Sequence, residues 1–245
     1  MDHRSRGLHC RTGGPPRALP WAVPLTTRTA LLEAARRTVT LGLNHGATGN
    51  VSVRLDGGFL ITPTGRPCDG LAAADLVLVG MDGIPSPGQR APSSEWLLHR
   101  DLYAARHDVG AIVHAHPPFA TTLACLREDL PAVHYMIAVT GAERVRCAPY
   151  APFGSGELSQ GAVAALGASR ACLLANHGLV AAGRDAVEAL RVASEVESVA
   201  ELWWRARQVG SPKLLTDSEM AEVLRRFSAY GQPGSPPLSP GEGGG

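Results

Sequence analysis

Residues 111–117 read Ala-Ile-Val-His-Ala-His-Pro, an apolar run that ends in two histidines one residue apart and is stopped by Pro117-Pro118. The apolar content predicts a strand, and in a strand alternate side chains share a face. His114 and His116 therefore project from the same side of the strand's end. Two imidazoles so placed can chelate a divalent metal, at about 2.0–2.1 Å for zinc and nitrogen. They can equally be two polar residues where a strand meets solvent, and at this point both readings stand.

Outward from this strand, helical and extended patterns alternate. Upstream, Leu31, Leu32, Ala35 and Val39 recur at helical spacing, which predicts a helix from about Thr29 to Leu41, ended by Asn44-His45-Gly46. Strands are expected over 50–54 and 58–62, joined by the hairpin signal Asp56-Gly57, and over 76–81 before Asp82-Gly83. A helix should follow Ser93-Ser94 and reach about Arg106. Downstream, helices are expected over 119–126 and 156–167. Strands over 172–175 and 179–182 flank the turn Asn176-His177-Gly178. A long helix from about Asp185 to Gln208 precedes a last one after Thr216. Asp185 with Glu188, and Thr216 with Glu219, have capping-box spacing. Hairpins interleaved with helices give an α/β class, an α+β sandwich with a central, mostly antiparallel sheet flanked by helices.

The ends have a different character. Residues 1–27 are rich in Arg, Gly and Pro and are expected to form a disordered extension. Residues 231–245 are expected to form a flexible tail, leaving 28–230 as one folded domain. With 44% hydrophobic residues, 18% charged residues and a net charge of +1, the chain fits a soluble globular protein. That balance argues against nucleic acid or an anionic membrane as partner. Five cysteines without a C-x-x-C pair point to a reducing compartment and small buried apolar residues. No apolar run approaches the ~18 residues of a membrane span, and no signal-peptide pattern opens the chain. A cytoplasmic location is the expectation.

Three further features bear on chemistry. His177, in a tight turn between two apolar strands, would complete a three-histidine open metal site if the two strand ends meet; otherwise it is a turn residue. Glu95 follows Pro92-Ser93-Ser94 at a helix start, where an acid complements the helix dipole and hydroxyls serve as caps. The same two hydroxyls and free N–H groups can cradle a phosphate. Gly46-Ala47-Thr48-Gly49-Asn50 and Thr62-Pro63-Thr64-Gly65 are built alike, as turns or as anion-binding loops. Neither matches the G-x-x-x-x-G-K-[ST] or G-x-G-x-x-G pattern, which argues against an NTPase or a Rossmann dehydrogenase. His99, four residues after Glu95 on the same helix face, is a candidate partner behind the site or a core residue. His45, in a helix-to-strand loop, and His134, beside Tyr135, are candidates to line a site, with surface or hydrogen-bonding roles the better reading.

Taken together, LGLNHGATGNVSVR (41–54), GFLITPTG (58–65), PSSEWLLH (92–99), AIVHAHP (111–117), PAVHYMIAVTG (131–141), CAPYAPFGSGELS (147–159) and NHGLVA (176–181) resemble, in this order, the class II aldolase/adducin family. Within it the likeness is nearest to the fuculose-phosphate aldolases. The resemblance implies one zinc ion (Zn2+) per subunit, held by His114, His116 and His177. It makes Glu95 a further ligand in the empty enzyme and then the catalytic acid–base. It places Gly49, Asn50, Thr64, Gly65, Ser93 and Ser94 on the substrate phosphate. Tyr135 is implied to reach a neighbouring subunit's site as a catalytic residue, and Tyr230 to close over that site. A homotetramer with active sites between subunits follows.

The implied reaction is cleavage of a ketose phosphate, L-fuculose 1-phosphate or similar, to dihydroxyacetone phosphate and a small aldehyde. The family also holds ribulose 5-phosphate 4-epimerases, whose motif resembles S-S-D where this chain has Ser93-Ser94-Glu95. Rhamnulose-, methylthioribulose- and 5-deoxyribulose-phosphate lyases share the chemistry, and a methylthioribulose-phosphate dehydratase belongs here too. An adducin-like binding module would keep the fold and lose the metal, but retention of all three histidines and Glu95 favours the aldolase.

Overall fold

The computed structural model describes residues 23–229. Most of the expected N-terminal extension, Tyr230 and the expected C-terminal tail lie outside the described residues. The first helix, α1, runs Leu25–Thr40, so it begins before the boundary at 28 drawn from composition. Pro24 occupies its N-cap at φ −54, and the Pro24 carbonyl accepts from the Thr27 and Arg28 N–H groups. Proline interrupts a helix interior but is well suited to a helix start, which is how a Pro-rich stretch came to hide the first turn.

Three strands follow, β1 (Asn50–Leu55), β2 (Gly58–Ile61) and β3 (Val77–Gly80). Asp56-Gly57 closes the β1–β2 hairpin, with Gly57 at φ +74 and Leu55 facing Gly58. Helix α2 (Trp96–Ala105) leads into β4 (Ala111–Ala115), and α3 (Pro118–Leu126) follows directly. Then come β5 (Arg146–Ala148), α4 (Gly156–Leu166), β6 (Ala171–Leu174), β7 (Gly178–Gly183), α5 (Ala186–Val209) and α6 (Asp217–Ala229). The seven strands form one sheet in the order β3-β2-β1-β4-β7-β6-β5. Every neighbouring pair is antiparallel except β5 with β6. Sequence reading had not anticipated β5, a three-residue edge strand with an exposed Arg146 and no apolar alternation. It had also not anticipated the 3₁₀ segment Tyr135–Thr140.

Helices cover both faces of the sheet. Val51, Val113, Ala115, Leu179 and Ala181 pack with α1, α3 and α5, while Ile112, Val180 and Ala182 pack with α2 and α4. This alternation sends Ser52 and His114 toward the α2 side, with Asn50 paired to His114 across β1 and β4. The central position of β4 between β1 and β7 thus sets where the histidines emerge. No helix among the described residues is long and apolar enough to cross a membrane. Of the cysteines, Cys68 and Cys172 are buried as expected, but Cys147 is half-buried and Cys125 is exposed. Cys125 lies on α3, which turns one face to solvent.

The two expected caps differ in detail. Thr216 and Glu219 form the reciprocal box, with the Thr216 N–H donating to Glu219 Oε2 at 2.7 Å and the Glu219 N–H to Thr216 Oγ1 at 3.3 Å. At α5, Asp185 Oδ1 accepts from the Glu188 N–H at 2.8 Å, but Glu188 reaches the Arg184 N–H, one residue before the cap. Its carboxylate also takes the Arg170 and Arg184 guanidinium groups, two cations that draw it away from the cap. Asp185→Ala removes the one side-chain acceptor at the start of α5 and should cost about 1 kcal/mol. A lowered thermal midpoint checks this, and an unchanged midpoint contradicts it.

Candidate metal centre and its cavity

The end of β4 meets the start of β7 with Ala115 opposite Leu179, which brings the turn bearing His177 beside His116. Gly178 permits this approach, since a Cβ there would meet Ala115 O at 2.5 Å and the His116 ring at 2.6 Å. Asn176, in the left-handed region at φ +53, shapes the same turn. His116 lies just beyond β4 and is held by its own N–H, which donates to Leu43 O and to Asn44 Oδ1 at 3.1 and 3.0 Å. Gly49, at φ +71, leaves the space that the buried Asn44 amide fills.

The three imidazoles converge. Their ligand atoms all lie within 4.8 Å of one another. His114 is fully buried, and its Nδ1 lies 3.0 Å from Leu179 O, an atom that can only accept. Nδ1 therefore carries the hydrogen, and in the neutral ring the Nε2 lone pair faces inward. That nitrogen lies 3.0 Å from His116 Nε2 and 3.0 Å from Glu95 Oε2. His177 Nε2 lies 3.3 Å from Glu95 Oε1. Glu95 stands at the N-cap of α2, 6% exposed, and makes no side-chain capping bond. Asn50 Nδ2 donates to its Oε2 at 3.1 Å, whereas buried Oε1 has no hydrogen-bond partner.

Nitrogen lone pairs and a carboxylate aimed at one another, with an orphaned buried oxygen among them, fit a divalent cation with a taste for imidazole. The charges agree. Burial pushes His116 down to about 3 and His177 to about 4, so both rings are neutral near pH 7. Burial alone would raise Glu95, but His114, His177 and the Asn50 N–H outweigh it and hold the carboxyl well below its usual range. For His114 burial likewise opposes charge, and Glu95 overcomes it, raising this imidazole.

A cavity of about 380 Å³ opens on this cluster. Gly49, Asn50, Thr64, Gly65, Ser93 and Ser94, all six expected phosphate residues, line it together with Glu95, His116 and His177. The Thr62–Gly65 and Pro92–Ser94 loops are stitched by a bridge between Pro63 and Pro92, with the Ser93 N–H on Thr62 O and the Thr64 N–H on Ala91 O. Among the described residues, no Lys or Arg lines the cavity. Tyr135 does not line it either; its ring is 50% exposed and packs on His134 and Phe227. Tyr150, Phe153 and Asn176 line it without having been singled out from sequence. The only available signal was their place in the segments 147–159 and 176–181, because aromatic residues in a Pro-rich loop have no periodicity to read.

Residues 29–204 match the class II aldolase and adducin N-terminal domain. The chain belongs to the class II aldolase and adducin family. It is 46% identical over 216 residues to a 5-methylthioribulose-1-phosphate/5-deoxyribulose-1-phosphate aldolase of Rhodospirillum rubrum, covering 88% of this chain and 97% of that protein. It is 41% identical over 202 residues to the L-fuculose phosphate aldolase of Escherichia coli K12, covering 82% and 94%. A solved L-fuculose 1-phosphate aldolase superposes with a TM-score of 0.81 at 38% identity, covering 84% of this chain and 98% of that one. Relatives of this identity and coverage place the chain among the family's enzymes, the aldolases, which are lyases.

The buried imidazoles give stability a defined pH dependence. His99, His116 and His177 have folded-state values lowered to about 3, 3 and 4, so below about 6.5 the unfolded chain binds protons that the folded chain refuses. His114, raised when folded, changes stability only above that value, and Glu95, lowered when folded, only below about 4.5. Between about pH 4.5 and 6.5 the three lowered histidines outnumber the one opposing group, Glu197, whose burial raises its carboxyl, and stability of the metal-free protein should fall as pH falls. Thermal melts in chelator across this window check the sign; a flat or rising midpoint toward acid contradicts it.

Proposed function

We propose that the protein is a zinc-dependent aldolase that splits a ketose 1-phosphate into dihydroxyacetone phosphate and a small aldehyde. The observation that carries this reading is the Glu95 carboxylate among three convergent imidazoles, in the cavity that also holds the six Ser, Thr, Asn and Gly residues. His114, His116 and His177 would hold a zinc ion, which when bound would supply positive charge against the negative charge that develops on the enediolate oxygens. Glu95 holds the proton that the enediolate carbon takes up in cleavage and gives back in synthesis. Its low proton affinity at rest follows from its neighbours, and it becomes a better base once it leaves them.

The phosphate is held by Gly49, Asn50, Thr64, Gly65, Ser93 and Ser94. With no Lys or Arg among the described residues of the wall, hydroxyls, backbone N–H groups and the N-terminus of α2 do this work. Anchoring the phosphate fixes the distance from the reacting carbons to Glu95, so binding free energy becomes orientation. Tyr135 of a neighbouring copy exchanges a proton with the aldehyde oxygen in a homotetramer with shared sites; that Tyr135 is half exposed and outside its own chain's cavity leaves it free to reach another copy. The substrate is L-fuculose 1-phosphate or a 5-deoxy- or 5-methylthio-ribulose 1-phosphate. Tyr150, Ala151 and Phe153 on the wall favour a ketose whose far end is apolar. A cytoplasmic location agrees with free cysteines.

The test is dihydroxyacetone phosphate release by purified protein across a panel of ketose 1-phosphates, with zinc measured by elemental analysis. His116→Ala should lose both metal and activity. Glu95→Gln should keep the metal and lose kcat by about 10²–10⁴-fold. Full activity in either variant, or wild-type protein that holds far less than one ion per chain, would overturn the assignment.

A further inference from the structure

Behind Glu95 lies a line of buried polar groups of which the reaction above uses only the first, Asn50, at the cavity wall. Asn50, Ser52, His99 and Tyr103 are 3% exposed or less, in an otherwise apolar layer between β1 and α2. Ser52 Oγ lies 2.8 Å from Tyr103 Oη and 2.6 Å from His99 Nδ1, and His99 Nε2 contacts Asn50 Oδ1. Asn50 Nδ2 then donates to Glu95.

The chemistry of the two ends fixes the direction of every link. An ionised carboxylate only accepts, so the Asn50 amide must turn its nitrogen to Glu95 and its oxygen to His99. An amide oxygen also only accepts, so His99 must carry its hydrogen on Nε2. Burial pushes His99 down to about 3, and a neutral ring has a single N–H, which leaves Nδ1 as acceptor. Ser52 then donates to Nδ1 and accepts from Tyr103, whose phenol burial keeps protonated. If the His99 hydrogen moved to Nδ1, the amide would be free to flip and place its oxygen against the Glu95 carboxylate.

We propose that His99 is a positioning residue, kept as the Nε2–H tautomer by Tyr103 and Ser52 so that the Asn50 amide presents its N–H to Glu95. The inference rests on Glu95 being the acid–base group, and its effect reaches the substrate only through that carboxylate.

Three variants and one spectrum test it. His99→Asn keeps an acceptor for Ser52 but withdraws the N–H from Asn50, and kcat should fall at least about tenfold. His99→Gln restores an N–H near the Nε2 position and should recover at least a threefold part of that loss. Ser52→Ala removes the donor that selects the tautomer and should lower kcat with KM little changed. Bound zinc should stay at the wild-type level in all three. Equal losses in the Asn and Gln variants, or a change confined to KM, would overturn the inference. Solid-state ¹⁵N spectra of histidine-labelled wild-type protein, with His99→Gln as the assignment control, read the tautomer without any turnover. An Nε2–H signal supports the proposal, and an Nδ1–H or imidazolium signal for His99 defeats it. Wild-type protein with the Nε2–H signal and no aldolase activity would instead sink the proposed reaction and leave the tautomer assignment standing.

Discussion

One constraint organises this molecule: inward-facing imidazole nitrogens and a carboxylate, largely removed from water, crowd a single point with no hydrogen between most of them. Such a cluster calls for positive charge at its centre, whether a proton shared between His114 and Glu95 or a divalent cation, because lone pairs at about 3 Å repel when nothing positive lies between. The surrounding fold supplies what the cluster cannot supply itself. Leu179 fixes one ring's hydrogen, Leu43 and Asn44 fix the backbone at His116, and Gly178 lets two chain segments touch. These restraints come from backbone atoms or small groups, so the cluster is held by geometry that few side-chain changes disturb.

The same strands build the core and the site, divided by the pleat. On β1, Val51 and Val53 face the α1, α3 and α5 layer, while Ser52 faces α2. On β4, Val113 and Ala115 go to one layer while Ile112 and His114 go to the other. On these two strands the buried polar side chains Ser52 and His114 thus enter the layer where α2 brings His99 and Tyr103. Outside that line, the α2 layer is made of residues such as Phe59, Ile61 and Leu102, which contribute burial and no polar debt. The cavity is polar at the loops and rigid at its base, an arrangement suited to holding a small anionic molecule at a fixed depth.

Much of this was legible in the sequence because the decisive elements are local. The run at 111–116 declares its strand through apolar content, and period two then aligns His114 with His116. Asp56-Gly57, Asp185 and Thr216 announce a hairpin and two helix starts through turn and cap chemistry. The meeting of His177 with the other two was conditional on strand order, which depends on pairings between distant segments that spacing does not encode. β5 escaped notice because a short edge strand pairs through its backbone and shows no pattern in Arg146-Cys147-Ala148. The start of α1 was masked by proline. Tyr150 and Phe153 gave no sign, since a loop's side chains face a cavity only through tertiary placement.

The sheet order has a consequence for how the chain comes to life on the ribosome. β4 lies in the middle with β1, made early, on one side and β7, made late, on the other. A nascent chain that ends before His177 can pair β1 with β2 and β4 yet still lacks the third imidazole. The three-histidine cluster can therefore form only after β4 and β7 have met, when both halves of the sheet are in place.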